Sequence, residues 1–183
     1  MNIVVYCGAN SGSDLGFEKN AEVLGKWIAE NNHTLVYGGG NCGLMGIVAN
    51  AALENNGKVV GVFPDVPVLY EQRHDHLTEI ILTDTMAERK AKMIEMGDAF
   101  IALPGGIGTL DEITEVMALS RLQVIDKPCI FYDVNGYYRP VREMFEKMID
   151  MGFYSRHDLD RILFSNQPDE IKRFLKQNNS FIK

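Results

Sequence analysis

The chain is poor in the residues that staple, kink or anchor a protein: three cysteines, six prolines and one tryptophan among 183 residues. An odd number of widely spaced cysteines, Cys7, Cys42 and Cys129, excludes a disulfide framework and predicts a reducing, cytoplasmic setting. No apolar run approaches the roughly 18 residues that cross a membrane. The opening residues Met1–Tyr6 read as a strand rather than a signal peptide. Basic side chains are the minority, 18 Lys and Arg against 25 Asp and Glu. The resulting charge of −7 argues against a general nucleic-acid or anionic-membrane partner, although a local basic site can still hold one phosphate. Repeats, low-complexity tracts and linkers are absent too, so residues 1–183 read as one domain, a length that buries about 70% of its unfolded surface.

What the sequence does have is glycine, 17 residues of it, gathered at meaningful places. The apolar run Ala99–Ala102 leads into Leu103-Pro104-Gly105-Gly106-Ile107-Gly108-Thr109-Leu110-Asp111-Glu112, where a helical pattern opens. Unpaired N–H groups and the dipole at a helix start favour an anion, and glycine lets a phosphate approach without a Cβ in the way. Gly105, Gly106 and Gly108 could serve a tight turn alone, but three glycines followed by the hydroxyl of Thr109 favour the anion site. Glu112 follows Thr109 by three positions, which suggests chemistry on a phosphorylated small molecule.

Short β-branched runs alternate with longer helical patterns. Strands are predicted at Ile3–Tyr6, Thr34–Tyr37, Lys58–Phe63, Glu79–Leu82, Ala99–Leu103, Pro128–Tyr132 and Arg161–Phe164. Helices are predicted at Leu15–Asn31, with Asp14 as its cap, and at Leu44–Glu54, Met86–Gly97, Thr109–Gln123, Tyr137–Met151 and Pro168–Gln177. Strict alternation implies right-handed crossovers and a doubly wound α/β fold: a mostly parallel, Rossmann-like sheet of about seven strands with helices on both faces.

Ligands of such sheets bind outside the carboxyl ends of the strands. Gly8 and Ser11 after the first strand, Gly39 and Gly40 after the second, and Gly105–Thr109 after the fifth should therefore open on one edge. Arg89 and Glu112 belong to early turns of the helices after the fourth and fifth strands and can be neighbours there. Ala87, Ala91 and Ile94 would form the apolar stripe of the first of these helices, and Leu110, Ile113, Val116 and Met117 that of the second, leaving Arg89 and Glu112 off both. Glu88 and Lys92 are spaced for a surface ion pair.

Gly38-Gly39-Gly40-Asn41-Cys42-Gly43 matches G-x-G-x-x-G, with Asp65 at the next strand end, and alone would suggest a dinucleotide. The chain leaves little room for a dehydrogenase's substrate domain. Cys7 and Cys42 read as small buried hydrophobes. His74 and His76, two positions apart, have no third ligand at useful spacing, so no metal is expected. Ser11 and Ser13 read as ligand contacts or caps, since no G-x-S-x-G elbow is present.

Pro104–Glu112 resembles the PGGxGTxxE signature of the Lonely Guy family, the cytokinin riboside 5′-monophosphate phosphoribohydrolases. The similarity continues through Cys7-Gly8, Val36–Gly40, Gly43–Gly46, Met86–Lys90, Asp98–Leu103, Asp126–Pro128 and Asn135-Gly136-Tyr137-Tyr138. It implies Arg89 and Glu112 as catalytic residues, and Glu71, Lys90 and Gly105, Gly106, Ile107, Gly108 and Thr109 as substrate contacts. It also implies a nucleoside 5′-monophosphate substrate, no cofactor, and a homodimer or larger assembly with sites near the interface. Ala118 stands where plant members often carry a threonine near the ligand. Other readings of a similar sequence are a nucleotide or molybdenum-cofactor carrier without turnover and, from the glycine motif, a lysine decarboxylase, which usually uses pyridoxal phosphate on a Schiff-base lysine.

Overall fold

The computed structural model describes residues 1–67 and 72–178. Among them, seven strands form one parallel sheet: β1 (Asn2–Tyr6), β2 (Thr34–Tyr37), β3 (Lys58–Pro64), β4 (Glu79–Thr83), β5 (Ala99–Ala102), β6 (Cys129–Phe131) and β7 (Ile162–Phe164). Their order across the sheet is β4-β3-β2-β1-β5-β6-β7. The chain builds outward from β1 in one direction, then returns to add β5 on the other side, which makes the β1/β5 boundary the switch point of the sheet.

Side chains of β1 alternate between two cores, as the two-residue period of a strand requires. Ile3, Val5 and Cys7 pack with α1 (Leu15–Glu30), α2 (Gly43–Glu54) and α7 (Pro168–Asn178), through partners that include Leu24, Val48 and Ile171. Val4 and Tyr6 pack on the other face with α3 (Met86–Met96), α4 (Ile107–Arg121) and α5 (Arg139–Asp150), through Met93, Val116 and Phe145. Both faces being covered, the central strands β1, β2 and β3 are buried and largely apolar after their first residue. Asp14 caps α1 by accepting from Gly16 N at 2.8 Å.

Three local expectations are corrected. The inner face of α3 carries Arg89, Met93 and Ile94, while Ala87 and Ala91 are exposed. With the small alanines outward, the larger Met93 fills the space against the sheet, and the arginine is held there by hydrogen bonds to Val62 O and Glu112. Glu88 does not meet Lys92; its Oε2 accepts from Asp84 N at 3.0 Å at the start of α3, and Lys92 pairs with Glu95 at 3.0 Å. Helix α4 begins at Ile107, with Gly106 as its cap, so Ile107, Gly108 and Thr109 form its first turn. A four-residue helix, α6 (Arg156–Leu159), and a 3-10 turn at Val134–Gly136 were not predicted. No helix among the described residues is long and apolar enough to cross a membrane.

Candidate active site

At the carboxyl ends of β1 and β5 the two following loops are tied together, Gly8 N donating to Pro104 O at 3.1 Å. Beside this seam opens a cavity of about 670 Å³, in the range of small-ligand sites. Gly8, Ser11, Gly40, Arg89, Lys90, Gly105, Gly106, Gly108, Thr109 and Glu112 all line it, as the sequence leads one to expect. Gly39 and Ile107 do not, the latter being 82% exposed, and Ala118 is also exposed and outside. Glu71 lies outside the described residues.

Arg89 and Glu112 come together. Nη1 of Arg89 donates to Oε1 of Glu112 at 2.6 Å, with the two side chains only 8% and 12% exposed. The same guanidinium donates through Nε to the Val62 carbonyl at 3.0 Å. This second bond fixes the plane of the group and leaves the opposite edge toward Gly38, where any Cβ would overlap Arg89 Nη2. Glycine at that position is therefore a requirement of the buried arginine. Burial pushes the Glu112 carboxyl above the ordinary carboxylate range, and the Arg89 charge opposes that rise.

The glycine loop has a similar constraint. Gly105 packs so tightly on Thr109 that a Cβ would overlap the threonine Oγ1, whereas Gly106 has open space around it. Thr109 is 3% exposed. The first N–H groups of α4 lack partners within the helix by construction, and they sit at the cavity wall. Lys90 is held on the outer side of the site by Asp111 and Glu115, each at 2.9 Å, and those hydrogen bonds raise its pKa.

Other readings are resolved by position. Cys7 is buried and burial raises its pKa, but Cys42 is exposed at the cavity edge, contrary to expectation, because it caps α2 outside the core. His74 is buried, its Nε2 lying 2.9 Å from Asn50 Oδ1 and its Nδ1 accepting from His76 N at 3.1 Å, a structural arrangement. Ser13 does not cap α1, since Asp14 does. Sequence reasoning assigned no roles to the apolar wall made by Met45, Phe63 and Met86, or to Tyr137, whose hydroxyl donates to the Gly105 carbonyl at 2.6 Å. The turn signal Asn135-Gly136 marks the tyrosine, but nothing local says which carbonyl it meets.

A parallel sheet with a glycine-walled cavity and a buried arginine–carboxylate pair at its switch point places the chain in the Rossmann-like class of folds. A family model described as possible lysine decarboxylase matches residues 45–175. A cytokinin riboside 5′-monophosphate phosphoribohydrolase of Rhodococcoides fascians is 43% identical over 163 residues, 88% of this chain and 82% of its own. Another of Arabidopsis thaliana is 38% identical over 153 residues, 84% of this chain and 72% of its own. Among solved structures, the molybdenum cofactor binding protein of Rippkaea orientalis superposes with a TM-score of 0.74 at 23% identity, over 96% of this chain and 95% of that one, a likeness of fold. The chain belongs to the family of that model, the Lonely Guy family.

Proposed function

We propose that the protein hydrolyses the N-glycosidic bond of an adenosine 5′-monophosphate, N6-modified or plain, to the free base and ribose 5-phosphate. The observation that carries this reading is the Arg89–Glu112 pair at 2.6 Å, facing the same cavity as the Gly105–Thr109 cradle. The named activity of the relatives, cytokinin riboside 5′-monophosphate phosphoribohydrolase, supports it. The whole chain, 1–183, is taken as one such unit.

In this reading the 5′-phosphate docks on the N–H groups of Gly105–Thr109, which sets C1′ beside Glu112. As the C1′–N bond breaks, its electron pair leaves with the base and positive charge develops on the ribose. The Glu112 carboxylate stabilises that charge and orients or deprotonates the water whose oxygen bonds to C1′. A guanidinium is a poor proton donor, so the contribution of Arg89 is electrostatic: it holds Glu112 in place and offsets negative charge on the departing ring, which takes its proton from solvent. Gly8, Ser11, Gly40 and Lys90, which line the cavity, and Glu71, by the family resemblance, complete the assigned substrate contacts.

A non-catalytic carrier needs an anion cradle but no buried carboxylate beside it, which favours the enzyme. Decarboxylation through a Schiff base needs a neutral amine. Lys90, the lysine among the described lining residues, has its pKa raised by two carboxylates instead. The reading includes a homodimer or larger assembly, supported by Leu122 and Val124, 72% and 65% exposed after α4, and a cytoplasmic location, supported by free thiols at all three cysteines. Incubation of the protein with AMP, prenylated AMP, other nucleoside monophosphates and the corresponding unphosphorylated nucleosides, with chromatography of the released base, is the test. Base release from the adenosine monophosphates, and none from the nucleosides, is expected. No release from any of them rejects the proposal.

A further inference from the structure

Three consecutive carbonyls lead into the cradle, and each has its own donor. Leu103 O accepts from the Tyr138 hydroxyl at 2.6 Å, Pro104 O from Gly8 N at 3.1 Å, and Gly105 O from the Tyr137 hydroxyl at 2.6 Å. Two of the three come from adjacent tyrosines in one turn. That turn is itself fixed: Asn135 and Gly136 hold positive φ of 53° and 75°, Asn135 Nδ2 donates to Asp14 Oδ2 at 2.9 Å, and Tyr138 N donates to Asp133 Oδ1 at 2.8 Å. The Tyr137 ring stands edge-on to Phe17 at 5.4 Å and to Tyr138 at 5.0 Å.

A carbonyl oxygen carries partial negative charge, and one left bare in a phosphate cradle repels its ligand. In a trans peptide the C=O and N–H point in opposite directions, so fixing the oxygen of residue 105 fixes the N–H of Gly106. A hydroxyl donating to that oxygen also polarises the peptide and makes the Gly106 N–H a stronger donor. The Tyr138 bond is buried and holds the base of the loop, while Tyr137 is 41% exposed and lines the cavity. Its ring is not needed to fill a core.

We infer that Tyr137 is a positioning residue for the phosphate: its hydroxyl holds the Gly105 carbonyl away from the anion and sets the Gly106 N–H to receive it. This rests on the glycosidase reading for the identity of the ligand, but not on turnover. Because the phosphate is unchanged by the reaction, the contact acts equally on substrate and transition state. It should appear in KM and in phosphate-ester affinity rather than in kcat.

The test is Tyr137→Phe in the full chain, which keeps the ring against Phe17 and removes the donor alone. Calorimetry measures ribose 5-phosphate and free adenine on both proteins, thermal unfolding checks the fold, and base release from AMP gives KM and kcat. The expected result is ribose 5-phosphate affinity weakened about tenfold, as for loss of one hydrogen bond that serves a charged group. Adenine affinity and kcat should stay within about twofold, with KM raised in step. Unchanged ribose 5-phosphate affinity, equal weakening of both ligands, or a fall in kcat at constant KM overturns the inference. A wild-type protein that binds ribose 5-phosphate but releases no base rejects the glycosidase reading and leaves the affinity comparison as the test of Tyr137. A wild-type protein that binds no ribose 5-phosphate overturns both.

Discussion

Arg89 holds Glu112 with one edge of its guanidinium and the backbone of β3 with another: Nη1 to Oε1 is 2.6 Å and Nε to Val62 O is 3.0 Å. A lysine would have to reach both acceptors from a single nitrogen, without the planar fork that fixes their directions. The carboxylate is thus oriented from the sheet through the arginine, and its charge has a fixed partner at the cavity floor.

Glu112→Gln keeps an acceptor for Arg89 but removes the charge. Turnover of the adenosine monophosphate should fall by about 100-fold or more, while ribose 5-phosphate affinity changes little, because the cradle lies one turn away. Steady-state kinetics beside calorimetry reads both quantities, and a variant as active as the parent removes Glu112 from its assigned role.

Arg89→Met leaves a carboxylate buried without its partner. Breaking such a pair costs about 3–5 kcal/mol when the remaining group stays charged. Urea unfolding at neutral pH should show a loss of that order, and the deficit should shrink in acid, where Glu112 takes up a proton and no longer carries an unpaired charge. Equal stability of parent and variant at neutral pH contradicts the pairing.

The pH dependence follows from the same group. Burial raises the Glu112 carboxyl, with Arg89 opposing, so the folded protein holds this proton more tightly than the unfolded chain does. The stability it contributes is fully present below the unfolded value and is lost as pH rises through the folded one. Activity runs the other way, because the carboxylate is the working form. The acid limb of kcat/KM should lie above the ordinary carboxylate range and vanish in Glu112→Gln, which a pH–rate profile of both proteins would show.

Gly38→Ala probes the packing behind the arginine. Its new Cβ would overlap Nη2 and come within 3.2 Å of the Met45 sulfur, and Arg89 cannot swing away without giving up Val62 or Glu112. We expect kcat to drop about tenfold or more, an effect of misplacing a reacting group by about an ångström. The fold, read by circular dichroism, should be retained.

Much of this architecture is legible in the sequence because its signals are local. The alternation of β-branched runs with helical patterns gave every strand of the sheet, and the rule that ligands gather beyond strand ends placed Gly8, Gly40, Gly105 and Glu112 on one edge. Arg89 was identified but misoriented. On α3 the stripe through Ala87 and Ala91 competes with one through Arg89 and Met93, and a burial that depends on Val62 O and Gly38, elements far away in the chain, decides between them. Tyr137 was hidden for the same reason: its partner Gly105 is 32 positions away. Cys42 reads as a core residue by type alone, whereas its position at the start of α2 leaves it at the surface.

The order of the strands also divides the chemistry of the chain. The portion before Gly97 contributes the guanidinium and the Gly8 and Gly40 walls of the cavity, and the portion after it contributes the carboxylate and the Gly105–Thr109 turn, the two pairing along β1 and β5. Neither portion alone holds both members of the Arg89–Glu112 pair. With that pair as the proposed reaction centre, two separately made segments would acquire activity only by reassociating along β1 and β5 and through the contacts of α7 with α1 and of Asn135 with Asp14.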